Sequence, residues 1–328
     1  MTMDKTHRML FYMLLCSFFL YPIVCMAGNA EAAGSWQLQI PIAVESDTDA
    51  FEFHSADFNG DGCSDLFAIK KKDTGTKRTE VHVLDGKNRF QGFLLQTGTV
   101  LGPSDGVFSF AVGDYNRDGA LDLYAIKMKD TDSNRTEIHV LDGKTGFRTF
   151  LLHAAVPIEL SYDIFHFELG DYNADGYPDL FAIKMRKTDS NRTEIHILDG
   201  KSNFQKFLLQ MPSCLENSYG IFSFALGDYD RDGKIDIYAI KRNHTDSKST
   251  EIHILNGSSN YRNFLLHSRT NLEEAHDNFA FLVNDYNLDG TDDLYAIKIR
   301  GTASHRTEVY VLGGVRRKSG PPVLGTLI

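Results

Sequence analysis

Five nine-residue acidic segments hold the side chains of this chain best suited to chemistry. They begin at Asp57, Asp114, Asp171, Asp228 and Asp285 and share the pattern D-x-[ND]-x-D-G-x-x-D. Position three is Asn59, Asn116, Asn173, Asp230 or Asn287, and position five is Asp61, Asp118, Asp175, Asp232 or Asp289. Position nine is Asp65, Asp122, Asp179, Asp236 or Asp293. A backbone wrapped around one point brings positions one, three, five and nine together as oxygen donors. Glycine at position six allows the sharp turn, and position seven (Cys63, Ala120, Tyr177, Lys234, Thr291) can add its backbone carbonyl. Hard oxygen donors of this number suit Ca2+, which takes six to eight ligands at about 2.3–2.6 Å. Zinc would want nitrogen or sulfur. An EF-hand loop is longer, closes on glutamate and lies between helices. The five segments contain 17 Asp, and carboxylates at loop spacing repel one another without a cation. The expectation is up to five Ca2+. The alternative for any one loop is a polar Asp-Gly turn without metal.

These loops are metered. Each starts 57 residues after the last, and Lys70, Lys127, Lys184, Lys241 and Lys298 keep the same step, as do Glu80, Glu137, Glu194, Glu251 and Glu308. A fixed period of this length signals a repeat architecture. In the second copy, residues 107–113, 121–128, 136–142 and 147–153 are rich in aromatic and β-branched residues and are separated by Asp, Asn, Ser and Gly turns. Sustained helical periodicity is absent from the sequence. Four short antiparallel strands repeated radially make a propeller blade, so the expected fold is an all-β, five-bladed β-propeller. The fourth-strand residue Phe93 recurs at Phe150, Phe207 and Phe264, but one step further falls on Pro321 and one step back on Trp36, the single tryptophan. The segment 36–44 is therefore expected to close the ring as the outer strand of the last blade, with 323–328 as the alternative.

The loops, each followed by a strand such as Asp122-Leu-Tyr-Ala-Ile-Lys127, resemble FG-GAP/VCBS-type repeats. The resemblance spans residues 36 to about 312. It implies calcium-bearing propellers like those of integrin alpha chains and some fungal lectins. The longer unit is similar to repeats attached to secreted bacterial cell-wall hydrolases, although this chain shows no separate catalytic domain. Such repeats serve adhesion, sugar binding and display.

The remaining features bound the function. Residues 1–32 read as a signal peptide: Lys5 and Arg8, an apolar run from Met9 to Met26, then Ala30-Glu31-Ala32. Cleavage after Ala27 competes with cleavage after Ala32, and an uncleaved anchor is the other reading. The expected organisation is signal 1–32, propeller 33–314 and tail 315–328. The product would be secreted, periplasmic or on a cell surface, without stable membrane insertion after cleavage. A net charge of −10 argues against nucleic acid as partner. Cys63 and Cys214 are expected not to pair with each other. Lys70 and Glu80 should lie opposite each other in a hairpin, with Ala68 opposite His82, and the repetition of the pair fits packing better than a pocket. His82, His139, His196 and His253 fall on different blades and cannot share a metal. The sequons at Asn134, Asn191, Asn243 and Asn256 are explained equally by turn chemistry. Tyr162, Asp163, Tyr219, His276 and Asp277 lie in turns opposite the acidic loops and are the expected ligand site, aromatic faces beside carboxylates. No catalytic motif stands out. The expected function is therefore that of a non-enzymatic, calcium-binding module for glycans or cell-surface recognition. The alternatives are a protein-binding adhesion or scaffold module and, last, a hydrolase with a site on the propeller face.

Overall fold

The computed structural model describes residues 36–315 and 323–324. The signal-peptide reading of 1–32 and most of the 315–328 tail lie outside the described residues. Within them, five four-stranded antiparallel sheets form a five-bladed β-propeller. The innermost strands are Phe51–Ala56, Phe108–Gly113, Phe165–Gly170, Phe222–Gly227 and Phe279–Asn284. Second strands run Asp65–Lys70, Asp122–Lys127, Asp179–Lys184, Asp236–Lys241 and Asp293–Lys298. Every residue from position one to five of a second strand is buried. That explains their unbroken apolar runs, because blades cover both faces.

Apolar packing forms five wedges, one between each pair of neighbouring blades. Strand Trp36–Glu45 pairs with Arg306–Leu312, Trp36 opposite Leu312, as Phe150 is opposite Leu141 in the second blade. The N-terminal segment therefore closes the ring in the expected register. Val323–Leu324 instead forms a two-stranded ladder with Gly314–Val315.

Two details differ from expectation. In the second blade the outer strand is Phe150–Glu159, starting later than residue 147. Phe147 has a φ of 64° and follows the short helical turn Gly143–Thr145. It packs into the wedge with the first blade. Lys70 does lie opposite Glu80, but they do not bond. Lys184 reaches Glu159 of the preceding blade at 2.9 Å, and Lys70 likewise reaches Glu45. Glu80 instead takes hydrogen bonds from Thr76 and meets His82 at 3.2 Å. Lys70, Lys184 and Lys241 thus tie blade to blade, and the glutamate row holds its own hairpin. Turn residues Lys77, Asn134, Asn191, Lys248 and His305 share φ of 53–57°, a conformation that asparagine tolerates well. Cys214 carries a free, half-buried thiol. Among the described residues, no helix is long and apolar enough to cross a membrane.

Candidate functional site

The acidic loops join first to second strands at one end of the propeller. Each wraps in the way its glycine demands: Gly62, Gly119, Gly176, Gly233 and Gly290 at position six have φ of 75–85°, a region costly for other residues. In the first loop Asp57 Oδ2 accepts from Gly62 N at 2.8 Å and Asp61 Oδ1 from Cys63 N at 3.0 Å. Asp65 clamps the loop, accepting from Phe58 N at 2.9 Å and from Gly86 N at 2.8 Å. Gly86 tolerates no side chain, because a Cβ there would lie 2.0 Å from the Ser64 carbonyl oxygen.

The same clamp recurs in every blade, and burial raises the pKa of each of its carboxylates above the usual range, Asp65 included. Burial, opposed by amide hydrogen bonds and aided by neighbouring aspartates, raises Asp122 and Asp179 to about 6, and Asp236 and Asp293 to about 7. The loops are not equal. Lys87, Lys144 and Lys201 place their ammonium groups 3.7, 3.2 and 3.5 Å from the position-five aspartate of the first three loops. In the fourth loop the equivalent residue is Ser258, which bonds Asp232. There the ligand oxygens of Asp228, Asp230 and Asp236 all lie within 4.8 Å of one another. In the fifth loop Asp292 turns away to the Tyr238 hydroxyl at 2.8 Å.

The axis presents a second cluster. Alternate residues of each innermost strand face the centre. One layer reads Glu52, Ser109, His166, Ser223 and Ala280, and the next reads His54, Ala111, Glu168, Ala225 and Leu282. Two blades thus break the small-residue pattern, with Glu-x-His in the first and His-x-Glu in the third. Glu52 and His166 line a depression of about 340 Å³ at the mouth opposite the acidic loops. Below it, His54 and Glu168 line an axial cavity of about 130 Å³ between all five inner strands.

Glu52 accepts from Ser109 Oγ at 3.0 Å and from Phe110 N at 2.8 Å, with Lys71 Nζ 3.6 Å and His54 Nε2 3.7 Å away. Burial alone would raise its pKa. Hydrogen bonding and the charges of His54 and Lys71, with the Phe110 amide, outweigh burial and hold it at about 2. Glu168 Oε1 lies 2.9 Å from His166 Nε2. The cluster can therefore present one firmly ionised carboxylate and a second carboxyl coupled to an imidazole, which are the parts of general acid–base chemistry.

Of the turn residues expected to hold a ligand, Tyr162, Asp163 and Tyr219 line the same depression as Glu52. His276 and Asp277 do not. They sit at the fourth-to-fifth blade junction, where Asp277 pairs with Arg242 at 2.7 Å. One face of each tyrosine is already covered: Lys129 Nζ lies 4.0 Å from the Tyr162 ring centre and Arg186 Cζ 4.0 Å from that of Tyr219. Glu52, His54, His166 and Glu168 were not expected. The search for recurring residues passes over them, since a single axial site is made of positions where the repeats differ. Polar residues at axis-facing positions of two copies were the available signal.

Residues 57–125 and 171–239 match the family described as FG-GAP-like repeat. The chain thus carries FG-GAP-like repeats on a five-bladed propeller. No curated protein matches it. Several solved structures share the fold. A GH43_1 enzyme from Xanthomonas citri has a TM-score of 0.53 at 12% identity, with 88% of this chain and 93% of that one covered. An endo-arabinase from Bacteroides thetaiotaomicron has 0.51 at 14%, covering 88% and 99%. CoXyl43, a GH43 β-xylosidase/α-arabinofuranosidase from a compost microbial metagenome, has 0.54 at 12%, covering 89% and 98%. At such identity the likeness is one of fold. It nevertheless overturns two expectations, that the chain is not an enzyme and that it acts as a recognition or adhesion module. The solved propellers named above are hydrolases, and this chain's own axis carries two carboxylates outside the acidic loops.

Proposed function

We propose that this chain is a glycoside hydrolase working in the axial depression, with Glu52 and Glu168 as its carboxylate pair. The observation that carries the reading is the placement of these two side chains on inner strands of the first and third blades, Glu52 lining the depression at the mouth and Glu168 the axial cavity. Glycoside hydrolysis generally needs two carboxyl groups flanking the scissile bond. Glu52, held ionised, takes the proton of an attacking water whose oxygen bonds the anomeric carbon. The leaving oxygen takes its proton from Glu168, which His166 orients. Tyr162 and Tyr219 stand at the mouth with one ring face each for a sugar, and Asp163 offers an acceptor beside them. The fold neighbours support a carbohydrate substrate, one having been solved with β-1,3-galactotriose and another with xylotriose.

The test is release of reducing ends from arabino-, xylo- and β-1,3-galacto-oligosaccharides and a wider glycan set. Turnover on at least one is expected. Glu52→Gln and Glu168→Gln should each lower it by about 100-fold or more, measured below the melting temperature of each variant so that only folded protein is compared. Equal rates in wild type and both variants on every glycan would refute the assignment.

The same reading gives the acidic loops a structural Ca2+ each, held by positions one, three, five and nine and the carbonyl of position seven. Their oxygen donors and the convergence of Asp228, Asp230 and Asp236 fit that ion. The ion would supply charge neutralisation and no part of the reaction. The signal-like N-terminal segment supports secretion, into compartments where calcium is plentiful.

A further inference from the structure

Two blades carry a feature that neither the loops nor the axial cavity uses. His139 lies opposite His153 across the two outer strands of the second blade, and His253 opposite His267 in the fourth. The rings meet edge to face, their centres 4.5 and 4.8 Å apart. In the fourth blade the two Nδ1 atoms are 2.6 Å apart.

The other blades show what these nitrogens present. In the first and third, the facing residue is glutamine: Gln96 Nε2 lies 3.1 Å from His82 Nδ1 and Gln210 Nε2 3.5 Å from His196 Nδ1. An amide nitrogen only donates, so Nδ1 there is a lone pair. The opposite ring nitrogen faces a glutamate of the same strand, Glu80 at 3.2 Å and Glu194 at 3.4 Å. His139 and His253 keep the carboxylate at ion-pair distance, with Glu137 and Glu251 at 3.5 Å from Nε2, although no hydrogen bond closes there. A carboxylate on one ring nitrogen draws the proton there and leaves the other as a ligand atom, the arrangement found behind metal-bound histidines. In the second and fourth blades a second imidazole stands in place of the amide donor, ring against ring in the second and Nδ1 against Nδ1 in the fourth.

We propose that His139/His153 and His253/His267 are bidentate sites for a transition-metal dication of the zinc, nickel or copper kind, with water completing the shell. Imidazole suits these ions, whereas the acidic loops suit hard ones. Two bonds of about 2.0–2.1 Å at a tetrahedral angle put the nitrogens about 3.3 Å apart, so the rings of the fourth blade must open by less than about 1 Å. His153 and His267 are exposed on outermost strands, each ring resting on a phenylalanine of its own strand, with centres 4.0 Å from Phe150 and 4.2 Å from Phe264, so the turn is one of an exposed ring over its neighbour. The metal would pin each outer strand to its neighbour.

The full chain, free of any affinity tag and saturated with Ca2+ so that the loops do not compete, should be titrated with Zn2+ by calorimetry. The comparison is His153→Gln/His267→Gln, which installs the residue found at the same position in the first and third blades. Two Zn2+ per chain are expected for wild type. Binding should be at least about tenfold weaker in the variant, with identical metal-free melting. Cu2+ should show nitrogen superhyperfine splitting from two imidazoles in wild type and lose it in the variant. The same stoichiometry, affinity and copper spectrum in both proteins would overturn the proposal and leave the pairs as imidazole–imidazole hydrogen bonds.

Discussion

Equivalent positions in the five blades give single residues different neighbours, and that difference has energetic consequences. The second-strand position held by Phe67 and Phe181 is tyrosine at Tyr124, Tyr238 and Tyr295, and all five are fully buried. Tyr238 donates to Asp292, whereas the hydroxyls of Tyr124 and Tyr295 are buried without a partner among the described residues. A buried, unbonded hydroxyl costs about 1–3 kcal/mol. Tyr124→Phe is therefore expected to stabilise the protein by about 1 kcal/mol in urea unfolding. Tyr238→Phe should destabilise it, because Asp292 loses its donor. The opposite signs from one chemical change make the comparison decisive. If both lower stability alike, the unbonded hydroxyl is not the cause.

At the scale of elements, the closing strand holds the ring. Leu38, Ile42 and Val44 of Trp36–Glu45 pack with Phe53 and Leu66 of the first blade and with Tyr295 and Val309 of the last. Thr307 Oγ1 donates to the Glu45 carbonyl at 2.9 Å, repeating the Thr136 to Glu159 bond inside the second blade. One end of the chain thus does for the other what a continuous strand does elsewhere. Ile42→Ala removes a side chain with no solvent exposure and should cost about 2–5 kcal/mol, read as a drop in urea midpoint. Ala43, next in sequence but exposed, should tolerate Ser within about 0.5 kcal/mol. Equal losses at the two positions would mean that the strand is not packed as described.

For the whole molecule, charge and metal are linked. The clamp carboxylates keep their protons in the folded chain up to about 6 for Asp122 and Asp179 and about 7 for Asp236 and Asp293, against 3.8 when unfolded. Their contribution is full below pH 3.8 and is lost as pH rises toward 7. Metal-free protein should therefore melt at lower temperature at pH 7.5 than at pH 5. Calcium reverses the slope by neutralising the ionised groups, and each site filled at a hundredfold over its Kd adds about 2.7 kcal/mol. Glu52 acts oppositely, since its pKa is lowered from 4.5 to about 2 and its contribution is lost only as pH falls through that lower range. Melting curves with calcium and with chelator at both pH values check this. Curves that coincide would exclude calcium from the fold.

The repeat made the architecture legible before any coordinates. A strict 57-residue step, strand-like runs and Asp-Gly turns determine four strands per blade and five blades, because each blade is a local unit and contacts only its neighbours. The register of Trp36 determined the closure by the same arithmetic. Sequence periodicity could not assemble the axial site. Glu52 and His54 lie more than a hundred residues from His166 and Glu168, and only the radial arrangement of inner strands brings Glu52 to the depression that His166 lines and His54 to the cavity that Glu168 lines. It likewise could not foresee that Lys184 bonds across the blade boundary, since register within a hairpin places residues opposite one another while the partner is chosen by which side chains the neighbouring blade brings within reach.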